Sequence, residues 1–383
     1  MKPCCHEPMR GVSRQDFIDE HAPAERILVV VFLRGGADGL SLVPPVGDDA
    51  YHRARPLLAV KPEDAIDLDG YFGLNAPLSP LMKWYERGEM AIVHGAGSED
   101  TTRSHFEAQD FMEHAGQETG SGWLARYLRA RQAAPSALSA VAIGTTRPES
   151  LRGAPAGAVI QTLRDFSFGD DDPELIERLA MLYAAERTAL GRAAADTIEA
   201  VRRLRALRAQ ENVPEHGAVY PPDDFGRGLR EIARLIKAEV GLVTSTIDLN
   251  GWDTHFVQSQ VIGAHMTSLA SGIDAFLTDL GPWRDRVTLV TMTEFGRRLR
   301  ENSSFGTDHG AGSVMMVVGE EVGATGLHPG VRSGWPDLSD SNLDDVGDVP
   351  AAINYRDVLA PILSAHAPGI DLARVFPVRP GAG

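Results

Sequence analysis

Six groups able to hold a hard or borderline metal ion fall just beyond apolar runs or just before one: Asp38, Asp253, His255, Glu294, Asp308 and His309. Carboxylate oxygen mixed with imidazole nitrogen suits zinc, iron or manganese. The six supply donors for one or two divalent ions. Asp253 and His255 sit two apart in Gly251-Trp-Asp-Thr-His, so both can point into one cavity if Thr254 faces away. Each also has a plainer reading, in which Asp38 or Asp253 caps a turn and His255 is solvated. The concentration of all six at chain breaks favours a metal and an anionic ester.

A second set would act on the ester. Ser104 precedes an apolar-periodic segment in Arg103-Ser-His-Phe-Glu107, and a helix N-terminus offers free N–H groups and positive potential to an oxyanion. Ser104 is the candidate nucleophile, with Arg103 and His105 beside it as substrate-binding groups. The same spacing fits a capping box of Ser104 with Glu107. Arg297 or Arg298, after Glu294, could neutralise a bound phosphate or sulfate or merely solvate a helix face, and Arg297 is the slightly better candidate. His265 reads as structural.

These groups need a sheet to bring them together. The runs Ile27 to Leu33, Met90 to His94, Ala140 to Gly144, Leu242 to Leu249, Val287 to Thr293 and Val314 to Val318 are apolar on both faces, as strands of a covered, mostly parallel sheet must be. Helical patterns alternate with them: Pro80 to Arg87, Phe106 to His114, Gly122 to Gln132, Phe225 to Val240, Gly263 to Leu280 and Tyr355 to His366. The expected fold class is therefore α/β, a three-layer α/β/α sandwich around a mostly parallel central sheet. Ligands of such sheets collect at the carboxyl ends of the strands.

From Asp171 to Gln210 apolar residues recur at helical spacing (Leu175, Leu179, Leu182, Tyr183), which predicts an inserted helical hairpin, the insertion extending over about 171–240. From about 320 to 349 the chain is rich in Gly, Asp, Ser and Pro around Trp335 and reads as a long surface loop, a candidate lid. Residues 1–24 read as a flexible N-terminal segment and 25–383 as one domain.

Composition narrows the partners. At 383 residues with 43% hydrophobic content, the chain can bury an ample core. A formal charge of -16 argues against generic affinity for nucleic acid or anionic membrane. Small anionic substrates would then need local arginines, while a protein partner remains open. No run of about 18 apolar residues is present to span a membrane. Cys4 and Cys5 are adjacent and cannot staple the domain. Residues Arg10 to Ile18 look like a degenerate twin-arginine export signal without its apolar stretch. The expected location is cytoplasmic, with periplasmic as the alternative.

The motifs as a set resemble those of the DUF1501 proteins, a bacterial group of uncharacterised function placed in the alkaline phosphatase and sulfatase-like superfamily. They are Phe32-Leu-Arg-Gly-Gly-Ala-Asp-Gly-Leu-Ser, Arg103-Ser-His-Phe-Glu-Ala-Gln-Asp-Phe-Met-Glu, Gly251-Trp-Asp-Thr-His, Thr293-Glu-Phe-Gly-Arg-Arg, Gly306-Thr-Asp-His-Gly and Tyr355-Arg-Asp-Val-Leu. The resemblance implies an alkaline phosphatase-like fold and a hydrolase of phosphate or sulfate esters. Asp38, Ser104, Asp253 with His255, Glu294 and His309 would fill the superfamily's metal and nucleophile positions. This chain departs from that pattern in spacing Asp253 and His255 by one residue rather than three, and in having Glu294-Phe295 where an Asp-His pair is expected. The alternative is a binding or assembly protein that keeps the fold with a degraded site.

Overall fold

A computed structural model describes residues 25–116, 120–131, 136–163, 173–184, 186, 188–209, 211–320 and 322–376. The expectations for residues 1–24, including Cys4, Cys5 and the export-like segment, lie outside these.

The strands are β1 (Ile27–Arg34), β2 (Ala65–Asp67), β3 (Gly73–Asn75), β4 (Met90–Gly97), β5 (Ala140–Ile143), β6 (Ala158–Ile160), β7 (Thr244–Asn250), β8 (Val287–Met292), β9 (Arg297–Glu301), β10 (Thr307–His309), β11 (Ser313–Val318), β12 (Gly330–Ser333) and β13 (Ile353–Asn354). The helices are α1 (Gly39–Leu42), α2 (Asp49–Ala54), α3 (Met82–Glu86), α4 (His105–His114), α5 (Trp123–Ala130), α6 (Pro173–Ala184), α7 (Ala189–Arg208), α8 (Asp224–Lys237), α9 (Gln258–Leu280) and α10 (Tyr355–His366).

One mixed sheet organises the molecule, in the order β12-β4-β11-β8-β1-β7-β5-β6, with β13 also pairing β4. β1 lies between β7 and β8 and is parallel to both. Its apolar residues alternate between two cores. Ile27, Val29, Val31 and Leu33 join the cluster formed with α8 and α9, while Leu28, Val30 and Phe32 join the one formed with α5 and α10. A strand buried on both faces cannot carry the polar alternation of a half-exposed one, so its sequence is a continuous apolar run.

β11 alone runs against its neighbours, antiparallel to both β4 and β8. This reversal matters for chemistry. Its beginning, preceded by Asp308 and His309 on β10, lies at the same edge of the sheet as the carboxyl ends of β1, β4, β7 and β8.

Several expected boundaries shift. The segment about 320–349 is not a free loop, because β12 pairs with β4 and Trp335 is buried against Phe72 and His94. α8 is part of the sheet's cover rather than of the insertion, with Phe225, Leu229, Ile232 and Ile236 in the core. The hairpin proper is α6 and α7. Its buried residue on α6 is Ile176, whereas Leu175 and Leu182 stay exposed. Arg297 and Arg298 lie on a strand, not a helix face.

Candidate metal centre

Three imidazoles meet the carboxylate of Asp253, each held by its other nitrogen. His105 Nδ1 lies 2.8 Å from Glu294 Oε1. His255 Nδ1 lies 3.2 Å from Asp308 Oδ1. His309 Nδ1 lies 2.9 Å from the Arg103 carbonyl. All three of these partners are oxygens without a proton to give, so each Nδ1 is the donor, and in the neutral imidazole that leaves Nε2 with its lone pair. Those Nε2 atoms lie 3.4 Å (His105), 3.1 Å (His255) and 3.3 Å (His309) from Asp253 Oδ1. Ligands about 2.0–2.1 Å from a four-coordinate zinc are roughly 3.3–3.4 Å apart.

His105, Asp253 and His309 bring donor atoms within 4.8 Å of one another, and His255 Nε2 adds a further donor 2.9 Å from His309 Nε2. The His105 Nε2 atom is buried and has no hydrogen-bond partner. An orphaned nitrogen beside a carboxylate is what a cation site requires, so the donor set fits a divalent metal.

The local fold explains this convergence. α4 begins at His105, directly after Ser104 in extended conformation, which places His105 and, one turn on, Gln109 on one face. Gln109 Nε2 donates to the same Glu294 oxygen at 2.8 Å, as does the Gly35 amide at 2.9 Å. Phe295 packs against the rings of both His105 and His309, with centroids 4.9 Å and 4.7 Å away. Gly35 and Gly36 have φ of +120° and +66°, and a Cβ at Gly35 would fall 2.5 Å from the Asp253 amide nitrogen. Their role is to seat two other loops against the end of β1.

Electrostatics follow from these contacts. Burial pushes the Glu294 carboxyl up, but hydrogen bonds from His105, Gln109 and Gly35 outweigh it and hold it below the usual range. Burial also opposes ionisation of Asp253, yet the hydrogen bond and charge of Arg297 bring it down to about 2. The hydrogen bond to Glu294 raises His105, and desolvation only partly offsets it. His309 is lowered by burial and by the charge of Arg297, which keeps it neutral and able to ligate.

Of the residues singled out in the sequence, Asp253, His255 and His309 are brought together as expected, and His105 joins them as a donor rather than as a substrate contact. Glu294 and Asp308 orient histidines instead of facing the centre. Asp38 is elsewhere in its bonding: it is fully buried in an ion pair with Arg55 at 2.5 Å and also accepts from Ser41 and Gln258. Arg297 is equally buried, and its guanidinium binds the carbonyls of Gly35, Gly36, Trp252 and Thr307 as well as Asp253. No donor of that fork is turned to a substrate.

Arg103 reaches the Gly310 carbonyl and Asp348, at 3.1 Å from the latter. Burial pushes Asp348 up to about 6, helped by Asp344 and opposed by Arg103. Ser104 makes no side-chain cap bond. Glu107, its expected capping-box partner, accepts from Thr102 Oγ1 instead. Gln109, Phe295, Asp348 and Asn302, whose Nδ2 donates to Asp308 at 3.0 Å, were not singled out. Gln109 was detectable as the i+4 neighbour of His105, whereas the others depend on contacts made across the fold.

A mixed α/β fold with histidines and carboxylates at the carboxyl edge of a mostly parallel sheet defines the class. The chain belongs to the family described as "Protein of unknown function (DUF1501)", whose model matches residues 90–378. None of the curated proteins compared with it matches. Among solved structures it is similar to "Crystal structure of Ps i-CgsB" at 11% identity and a TM-score of 0.38, covering 92% of this chain and 74% of that one. The same protein "in complex with k-i-k-neocarrahexaose" gives 0.36. No helix among the described residues is long and apolar enough to cross a membrane.

Proposed function

We propose that this chain is a metal-dependent hydrolase of phosphate or sulfate esters, with the three-layer α/β/α architecture of the alkaline phosphatase and sulfatase-like superfamily. The observation that carries this reading is the set of three imidazoles whose Nδ1–H groups are all engaged, leaving three Nε2 lone pairs around the Asp253 carboxylate.

His105, Asp253, His255 and His309 would hold one divalent cation, zinc fitting the nitrogen-rich set best and iron or manganese being the alternatives. Among the described residues no second donor set gathers beside it, with Asp38 paired to Arg55 and Glu294 accepting from His105, Gln109 and the Gly35 amide. The cation supplies positive charge to polarise an anionic ester. Ser104 is the nucleophile of this reading, with its hydroxyl uncommitted to the helix cap and the first amides of α4 behind it to favour an anion. Arg103 stays as the substrate-side cation, and Arg297 becomes a positioning residue.

A second reading, a binding or assembly protein with a degraded site, is favoured by one observation. Arg297 already neutralises Asp253 at 2.6 Å, so the cluster is compatible with standing empty. Elemental analysis of purified protein separates the two, wild type beside an Asp253→Ala/His309→Ala double variant. Stoichiometric metal lost in the variant, followed by ester turnover that disappears in Ser104→Ala, is the expected result. Folded wild type that carries no metal and takes up none would overturn the hydrolase reading.

A further inference from the structure

Two turns in contact with each other border the metal centre. The Val257 amide donates to the Ser304 carbonyl at 3.0 Å, and the Gln258 amide to the Phe305 carbonyl at 2.8 Å. Asn302 ties both to the centre, because its side-chain amide donates to the His255 carbonyl at 3.1 Å and to Asp308 at 3.0 Å. Gly306 lies so close that a Cβ there would fall 2.3 Å from the His255 carbonyl group. The turns therefore stand where the centre meets solvent: the side chains of Asp253, His255 and Asp308 are partly exposed, whereas those of Glu294 and Arg297 are sealed.

The side chains these turns present are apolar. Phe256 is 69% exposed and Phe305 54%, with Val257 and, one helical turn on, Val261 exposed beside them. Single apolar residues in water need no explanation, but a group of them does. Val257 and Phe305 both lie in the left-handed region, at φ 42° and 60°, where glycine or asparagine fits at lower cost and a β-branched or bulky residue is an outlier. Neither turn geometry nor core packing calls for an exposed valine and phenylalanine at those positions. Backbone strain of this kind clusters at functional sites.

Size and charge select the occupant. A whole aromatic side chain buries about 150–250 Å², so two partly exposed phenylalanines and two valines offer about a few hundred, short of the roughly 800 Å² per partner of a stable protein interface. Asp253 and Asp308 at the same opening, together with a net charge of -16, oppose an anionic membrane. A small organic group bound next to the centre fits both limits.

We propose that Phe256, Val257, Val261 and Phe305 form the wall that receives the organic part of the substrate, and that this part is an apolar aryl or alkyl group. Placement of the anionic group at the histidine cluster rests on the function proposed above; the apolar wall does not, since none of its four residues is a candidate metal ligand.

The test is ligand-observed saturation-transfer NMR on the full chain, metal-loaded and chelator-treated, with three probes that no ester hydrolase cleaves: naphthalene-1-sulfonate, methanesulfonate and 1-naphthol. In the metal-loaded protein naphthalene-1-sulfonate should bind about tenfold more tightly than methanesulfonate, which partial burial of one ring supplies, and 1-naphthol should bind in both states. Phe256→Ser and Phe305→Asn should each weaken both naphthyl probes roughly fivefold. Both substitutions suit the fold, since Phe256 is exposed and asparagine tolerates the left-handed conformation, and a melting temperature no lower than that of wild type shows it. Absence of binding by the naphthyl probes, equal affinity for the two sulfonates, or naphthyl binding indifferent to both variants overturns the proposal. So does a wild type that sediments as a dimer and becomes monomeric in both variants, which makes the patch a contact between copies. Binding of 1-naphthol that weakens in the variants, without any ester turnover, leaves this inference intact and removes the hydrolase reading; turnover of methyl phosphate without naphthyl binding does the reverse.

Discussion

Glu294 Oε1 accepts the Nδ1–H of His105 at 2.8 Å, and that one contact decides which nitrogen of His105 faces Asp253. A carboxylate behind a ligating imidazole fixes its tautomer and raises its basicity, and losing such a partner typically weakens metal binding about 10–100-fold. Glu294→Gln should do this while leaving metal stoichiometry at saturation unchanged. Chelator-competition titration measures it. Wild-type affinity in the variant would mean that the tautomer is fixed by packing against Phe295 alone.

Asp38 makes the opposite case. Its carboxylate and the Arg55 guanidinium are both sealed from solvent, and removing one partner of a buried pair costs about 3–5 kcal/mol. Asp38→Asn should therefore lower stability by that order in urea denaturation, yet the folded fraction should keep its full metal content. Metal loss without destabilisation would restore Asp38 as a ligand.

Much of the scaffold was legible because strands buried on both faces must be mostly apolar, and β1, β4, β8 and β11 are, with few polar residues among them. β6 and β12 were missed: Ala158–Ile160 and Gly330–Ser333 are too short and, in β12, too polar to form a run. The reversed direction of β11 left no mark, since an apolar strand reads the same both ways. At the site, residue type announced Asp253, His255 and His309. It could not separate ligands from the groups that orient them, because Glu294 and Asp308 differ from Asp253 only in which nitrogen they meet. Asp38 was misplaced because its partner, Arg55, lies beyond the intervening α1 and α2 and carries no motif.

Arg297 ties the ends of β1 and β7 to the β9–β10 hairpin through four carbonyls. Lysine has no fork to replace that geometry. Arg297→Lys should cost about 3 kcal/mol, mostly from carbonyls left without donors, since Asp253 itself is half-exposed and screened. Calorimetry checks the stability. Site assembly should fall with it, seen as weaker metal binding. Unchanged melting would show that water replaces the guanidinium without penalty.

His94 gives the fold a defined acid sensitivity. Its Nε2 donates to the Val43 carbonyl at 3.2 Å, its Nδ1 accepts from Trp335, and it stacks on Phe72. Burial lowers its pKa from 6.5 to about 4, with the Val43 bond opposing only part of the shift. The depressed value means that the unfolded chain binds the proton first. The stabilisation is thus complete above pH 6.5 and is lost as the pH falls toward 4, on the order of 3 kcal/mol in all. Urea midpoints across that window should fall less steeply in His94→Gln than in wild type, although carboxylates contribute to both slopes. Parallel slopes would show that His94 is already protonated in the fold.

Val257 occupies the left-handed region at φ 42° and ψ 44°, immediately before α9 and two residues after His255. A β-branched side chain there is strained by roughly 1–2 kcal/mol. The conformation is enforced by two bonds across to the neighbouring turn, from the Val257 amide to the Ser304 carbonyl and from the Gln258 amide to the Phe305 carbonyl. Glycine removes the strain but enlarges the entropy of the unfolded chain. Val257→Gly should accordingly leave stability equal or raised by up to about 1 kcal/mol. Metal affinity should move the other way, because the segment that carries Asp253 and His255 loses its stiff anchor. Paired thermal melts and metal titrations read both quantities on one sample. A fall in stability with unchanged metal binding would show that the valine is retained for packing and that the strain has no bearing on the centre.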